Sequence, residues 1–125
     1  MAILIIGKTG FIGSYYYKYS QIKEKKFFTS SKNKKYYYLN LIKFNKKKLS
    51  SFIKEKKINK VVILSSISKP EDCFRNKKKS YAINVRGTKN LINLLIKNGI
   101  YYIFFSTEYI FDGTKGHYTE KSKAI

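Results

Sequence analysis

The sequence predicts a three-layer α/β fold: a parallel sheet of about five strands in the order 3-2-1-4-5, with helices on both faces. Three observations point there. Ala2–Ile6, Val61–Leu64 and Tyr101–Phe105 are continuous apolar runs, as expected for strands buried on both sides. Helical patterns separate them. Gly7, Gly10 and Gly13 lie directly between the first strand and the first helix.

The elements follow in order. After the strand Ala2–Ile6 and the glycine turn, a helix is predicted from Phe11 to about Ile22. Two weaker strands follow, Lys26–Thr29 and Tyr36–Leu39. A helix over Lys46–Lys57 carries Leu49, Phe52 and Ile53 at helical spacing, with Lys and Glu around them. Beyond the strand Val61–Leu64, a longer helix starts near Glu71 or Asn76 and runs to Asn98. Its predicted apolar stripe holds Tyr81, Val85, Leu91, Leu94 and Leu95. Pro70 falls in the loop before it, and Glu71 and Asp72 put negative charge at its N-terminus. Asn98-Gly99 is a good stop, because glycine takes the left-handed conformation readily. The strand Tyr101–Phe105 comes next. The segment Asp112–Ile125 is polar and reads as loop. Strands alternating with helices imply right-handed crossovers. Residues 1–125 show no repeat and no linker, so one domain is expected.

Composition narrows the functional classes. No apolar run reaches the ~18 residues that span a bilayer, and the N-terminus has no leader pattern. The single cysteine, Cys73, cannot pair within the chain, which suits a cytoplasmic, reducing compartment. The net charge of +20 suggests a polyanion partner. However, the basic residues are nearly all Lys, with only Arg75 and Arg86 as Arg. Phosphate and base recognition favours the arginine fork. Lys, Asn, Ile, Phe and Tyr, all with AT-rich codons, dominate the whole chain. Composition bias therefore accounts for the charge better than nucleic-acid binding. The tyrosine runs Tyr15–Tyr17 and Tyr36–Tyr38 are read the same way.

The glycine spacing, Gly-x-x-Gly-x-x-Gly after a strand and before a helix, suits a dinucleotide site of the Rossmann type. Gly7 permits the tight exit from the strand, Gly10 lets the backbone approach a pyrophosphate, and Gly13 allows close helix–strand packing. The helix start adds free N–H groups and a positive dipole end. About twenty residues on, where a carboxylate would hold the ribose hydroxyls of NAD, stands Thr29-Ser30-Ser31-Lys32-Asn33. Hydroxyls with a cation, Ser31 and Lys32 in particular, suit a 2′-phosphate, so NADP(H) is slightly preferred over NAD(H).

Three further segments carry a family resemblance: Ser65-Ser66-Ile67-Ser68-Lys69-Pro70-Glu71-Asp72-Cys73, Tyr81-Ala82-Ile83-Asn84-Val85-Arg86-Gly87-Thr88-Lys89-Asn90-Leu91, and Phe105-Ser106-Thr107-Glu108-Tyr109-Ile110-Phe111-Asp112-Gly113. With the glycine turn, they resemble the dTDP-4-dehydrorhamnose reductase group of the extended short-chain dehydrogenase/reductases. The resemblance implies an NAD(P)-dependent reductase of a nucleotide-linked 4-keto-6-deoxy sugar. It implies that Gly7, Gly10, Phe11, Ile12 and Gly13 cradle the pyrophosphate, that Asn40 and Leu41 lie beside the adenine, and that Ser65, Ser66 and Ile67 lie against the cofactor. Asn40 stands where the family has Asp, and Glu108 likewise. Thr107 matches the hydroxyl residue of a catalytic Thr/Tyr/Lys set, and Glu108 adjoins it at the substrate.

The same resemblance calls for a tyrosine with a lysine four residues later, a dozen or so residues beyond Tyr118-Thr119-Glu120. Within these 125 residues that pair is absent. Tyr118 is followed four residues on by Ser122, and Tyr19 with Lys23 has the spacing on the wrong part of the fold. The expectation is a truncated reductase chain that binds cofactor without turnover, its substrate lobe absent. A complete chain of this kind is expected to be a homodimer. A non-catalytic reductase-like subunit is the alternative, and a basic nucleic-acid binder the third. His117 has no partner at catalytic spacing, Cys73 reads as a structural thiol, and no metal-binding cluster is visible.

Overall fold

A computed structural model describes residues 1–125. Five parallel strands form one sheet in the order β3-β2-β1-β4-β5. They are β1 Ala2–Ile6, β2 Lys25–Ser30, β3 Tyr37–Tyr38, β4 Ile58–Ile63 and β5 Tyr101–Phe104. The order and the parallel sense agree with the sequence expectation. β1 is central, and all five of its residues are buried. That explains why its sequence is continuously apolar rather than alternating.

The two faces of the sheet are covered unequally. On one side, Ala2, Leu4 and Ile6 share a core with Leu49 and Ile53 of helix α2 (Lys46–Glu55) and with Leu91, Leu94 and Leu95 of helix α5 (Thr88–Lys97). Phe27 joins that side through an edge contact with Phe52, ring centroids 5.8 Å apart. On the other side lies helix α1, Phe11–Tyr19, with Tyr17 edge-on to Phe28 at 4.9 Å. The strand register places Phe28, Ile5, Val62 and Ile103 in one row across this second face. Ile5 is fully buried in that row, Val62 half-buried, and Ile103 46% exposed. Cover on this side therefore runs out toward β5.

Helix α1 stops three residues before its expected end. Ser20 is extended (φ −64°, ψ 122°), and the Lys26 ammonium donates to the carbonyls of Ser20 and Ile22, which ties down the turn. The expected long helix begins at the later of its two expected starts: Asn76 caps a continuous helical run from Lys77 to Lys97, and a separate short helix precedes it. Pro70 is the first residue of that short helix rather than part of the preceding loop, since proline suits a first helical turn. Helix α3, Pro70–Arg75, ends at Asn76, whose backbone (φ −135°, ψ 72°) leaves the helix. The Asn76 side chain then caps helix α4, Lys77–Ser80, by accepting from the Lys79 N–H. A π-helical stretch, Tyr81–Gly87, carries on into α5.

That wide stretch corrects the predicted apolar stripe. It changes the helical phase, so Tyr81 and Val85 face solvent, 60% and 46% exposed, while Ala82 and Gly87 turn inward. Gly87 is obligatory there, because a Cβ would collide with the Leu41 carbonyl oxygen. Gly99, at φ +65°, closes α5 in the left-handed conformation. Asp112–Ile125 holds no helix or strand. Tyr118 donates to Asp112 at 2.6 Å, and its ring stacks on Phe111 at 4.5 Å.

Candidate cofactor site

The glycine turn is built by contacts that exclude side chains. Gly7 leaves β1 at φ +103°, a conformation side chains resist, and a Cβ on it would lie 2.9 Å from the Ser65 backbone nitrogen. Its N–H donates to Thr29 Oγ1, and the Lys8 N–H donates to the Thr29 carbonyl at 3.0 Å. A Cβ on Gly13 would overlap the Gly7 carbonyl oxygen. Gly10 differs: a Cβ there would meet only the Gly7 oxygen, at an ordinary 3.5 Å. Packing within the chain does not require Gly10 to be bare. The N–H groups of Phe11, Ile12 and Gly13, in the first turn of α1, have no acceptor in the chain.

This turn forms the floor of a cleft of about 540 Å³ at the carboxyl ends of the strands. Gly7, Thr9 and Gly10 line the floor. Thr29–Lys32 and Leu39 form one wall, Leu64–Ile67 the back, and Asp72, Arg75, Asn76, Lys79 and Ile83 the opposite wall. Ser30 Oγ accepts from the N–H groups of both Lys32 and Asn33, which fixes the loop after β2. Asn84 holds the back of the cleft. Its Oδ1 accepts from the Ile67 N–H at 2.8 Å and its Nδ2 donates to the Ile67 carbonyl at 2.9 Å. The side-chain amide thus pairs with a main-chain residue as a neighbouring strand would.

Of the residues singled out from sequence, the cleft gathers Gly7, Gly10, Ser31, Lys32, Ser65, Ser66 and Ile67. Gly13 is buried beneath the turn, while the Phe11 and Ile12 side chains point to solvent, 89% and 50% exposed. None of these three residues lines the cleft, and what they present at the turn is the backbone N–H groups. Leu41 is a core residue, and Asn40 uses its Oδ1 to accept from the Ile42 N–H. Neither lines the cleft; Leu39 does. Thr107 and Glu108 sit past the end of β5, both exposed, and Thr107 Oγ1 caps a short 3-10 turn by accepting from the Tyr109 N–H. They share the carboxyl edge of the sheet with the cleft but stand outside its walls.

Arg75, Asn76, Lys79 and Ile83 escaped the sequence reading. Their only signal was helical spacing, and a chain dense in lysine hides it. Asn84 was likewise unmarked, because its role depends on a loop seventeen residues away.

Beside the turn, the Lys8 ammonium lies over two rings, 4.4 Å from the Tyr17 centroid and 4.9 Å from that of Tyr36. The neighbouring phenols act on each other: Tyr36 raises the Tyr17 pKa and Tyr17 lowers that of Tyr36, which the Lys8 ammonium lowers further. Lys8 thus ties the glycine turn both to α1 and to the loop after β2. Cys73 is half-buried and its Sγ lies 3.3 Å from the Ile67 carbonyl. His117 is exposed, at φ +50°. No cluster of three or more His, Cys, Asp and Glu side chains forms, and no helix is long and apolar enough to cross a membrane.

None of the curated proteins compared matches this chain. Solved structures do. A hypothetical dTDP-4-dehydrorhamnose reductase from Sulfolobus tokodaii is 28% identical with a TM-score of 0.78, matched over 100% of this chain and 46% of its own. A dTDP-4-dehydrorhamnose reductase from Clostridium acetobutylicum is 28% identical with a TM-score of 0.81, over 100% and 43%. A UDP-glucose 4-epimerase from Stenotrophomonas maltophila, solved with bound NAD, has a TM-score of 0.81 over 100% and 43%; at 13% identity it shows a shared fold. The chain spans less than half the length of each of these relatives. The model of the RmlD substrate binding domain matches residues 1–124, and the chain belongs to that family.

Proposed function

We propose that this chain is the dinucleotide-holding part of an NAD(P)-dependent reductase acting on a nucleotide-linked 4-keto-6-deoxy sugar. One observation carries the reading: Gly10 is bare where nothing in the chain needs it to be, on the floor of an open cleft, beside three unpartnered N–H groups. A pyrophosphate needs such a surface, because its oxygens must reach backbone donors and the positive end of a helix. The names of the two reductases at 28% identity supply the substrate class.

The residues divide the work. Gly7, Gly10 and the N–H groups of Phe11, Ile12 and Gly13 receive the pyrophosphate. Leu39, Leu64 and Ile83 offer the apolar part of the cleft to the adenine. Ser31 and Lys32 stand at the adenosine ribose and favour NADP(H). Ser65, Ser66 and Ile67, braced by Asn84, hold the nicotinamide half against the sheet. When bound, the dinucleotide supplies hydride. Thr107, past β5, orients the sugar, with Glu108 beside it. The tyrosine and lysine that complete such a site are not among these 125 residues. The reading places the protein in the cytoplasm.

Titration with NADPH and NADH, followed by the fluorescence of the reduced nicotinamide, tests this. Saturable binding is expected for the folded chain, with no turnover of the keto sugar. A folded chain that binds neither dinucleotide at millimolar concentration would sink the proposal.

A further inference from the structure

We infer that Lys8 is a positioning residue for the ligand of the cleft: its ammonium, shared between the rings of Tyr17 and Tyr36, holds the glycine turn in place against the wall that follows β2. The inference rests on the reading of the cleft as a dinucleotide site. Lys8 follows Gly7 in the turn itself, and its N–H donates to the Thr29 carbonyl at 3.0 Å. Its side chain leaves that anchor and ends 4.4 Å from the centre of the Tyr17 ring and 4.9 Å from that of Tyr36. The two rings meet edge to face at 5.9 Å, and Tyr17 is also edge-on to Phe28 of β2. One cation thus joins the turn, helix α1 and the residue just before β3.

The loop that Lys8 grips is otherwise braced from within. Ser30 Oγ accepts from the N–H groups of Lys32 and Asn33, and Asn33 accepts in turn from Lys35 through Oδ1 and from Tyr36 through its carbonyl. The strand beyond adds little, since β3 is two residues long. Tyr36, at the far end of this loop, is where Lys8 takes hold. The ammonium does so without touching the cleft: Lys8 is not among the lining residues. It also has no carboxylate partner, the chain's two ion pairs being Lys56–Glu55 and Lys60–Glu24. Two ring faces meet its charge instead. A dinucleotide reaches from the turn, which receives its pyrophosphate, to the wall at its adenosine end, so both must be in place at once. A ligand that fits one arrangement of turn and wall loses affinity as that arrangement becomes less populated. The Lys8 tie keeps it populated.

The test measures binding of NADPH, 5′-ADP and inorganic pyrophosphate to the 125-residue chain and to four variants: Lys8→Met, Lys8→Arg, Tyr36→Leu and Lys8→Met/Tyr36→Leu. Lys8→Met is expected to weaken NADPH and 5′-ADP by roughly three- to tenfold, the range that a partly exposed cation–π contact supports. Pyrophosphate, which reaches the turn alone, should bind as it does to wild type. Lys8→Arg should restore the affinity for both larger ligands, because a guanidinium stacks on the same rings. Tyr36→Leu should match Lys8→Met, and the double variant should be no weaker than either single change, since all three break one contact. Lys18→Met removes an ammonium that lies over Tyr19 near the end of α1 and should leave all three ligands unaffected. Equal weakening of pyrophosphate and 5′-ADP in Lys8→Met would show that Lys8 reaches the ligand itself and would overturn the inference. Wild-type affinity in Lys8→Met, or additive losses in the double variant, would overturn it too and leave the dinucleotide site standing. Should Lys8→Met fail to fold, Tyr36→Leu decides alone, because it leaves the turn's own sequence untouched. A folded wild-type chain that binds none of the three ligands would overturn the site and the tie together.

Discussion

Gly13 rests directly on the Gly7 carbonyl oxygen, so the start of α1 and the end of β1 touch backbone to backbone. Gly13→Ala must push them apart, and overpacking of this kind costs about 1–3 kcal/mol. A lower urea midpoint is expected. Gly10→Ala makes only an ordinary contact. Its midpoint should stay near that of wild type while NADPH binding is lost. The two glycines would then separate folding from ligand approach. Equal effects of both substitutions on the midpoint would contradict that division.

Asn84→Ala removes both hydrogen bonds to Ile67, leaving its N–H unpaired in a half-buried setting and only the Cys73 thiol at its carbonyl. The expected cost is about 1–3 kcal/mol. The more direct readout is hydrogen exchange. The Ile67 amide should lose protection in the variant, whereas the amides of β1 should keep theirs. Unchanged protection at Ile67 would show that the loop does not depend on Asn84.

Asp112 carries a pH dependence. Its carboxylate accepts from the Tyr118 hydroxyl, then from the Thr114 N–H and hydroxyl, and these bonds hold its pKa below the ordinary aspartate range. A lowered folded-state pKa stabilises the loop in full above the unfolded value of about 3.9 and loses that contribution as pH falls through the lower folded value. The Tyr118 ring resonances should shift in acid as the stack on Phe111 loosens. Asp112→Asn should show no such step.

The exposed end of the Phe28–Ile5–Val62–Ile103 row makes the chain adhesive. Tyr101 and Ile103 are 65% and 46% exposed on a strand whose outer edge has no partner. Such edges recruit other chains. Sedimentation of the 125-residue chain should show concentration-dependent association, and Ile103→Lys should reduce it. A chain that stays monomeric at high concentration would refute this.

Much of the architecture was legible because parallel α/β folds write themselves in simple periods. A central strand buried on both faces must read as Ala2–Ile6 does, and three glycines at one junction leave few other structures. What stayed hidden depended on phase. Tyr81 and Val85 fit an α-helical stripe, but a single wide stretch rotates them outward, and no local residue announces it. Asn76 is legible as a helix start, but the separate short helix Pro70–Arg75 that ends against it is not. Leu39, rather than Leu41, lines the cleft; β3 is only two residues long, and so short a run does not declare its register.

The wide stretch Tyr81–Gly87 bears on two places at once. Asn84 braces the loop after β4, and Gly87 abuts the backbone after β3. One strut therefore touches both the back of the cleft and the segment that follows its Leu39 wall before any ligand arrives. The entropy of ordering those segments is spent during folding rather than on association. Discrimination between ligands then falls to the side chains along the walls instead of to a closing motion, and binding should be fast and nearly rigid.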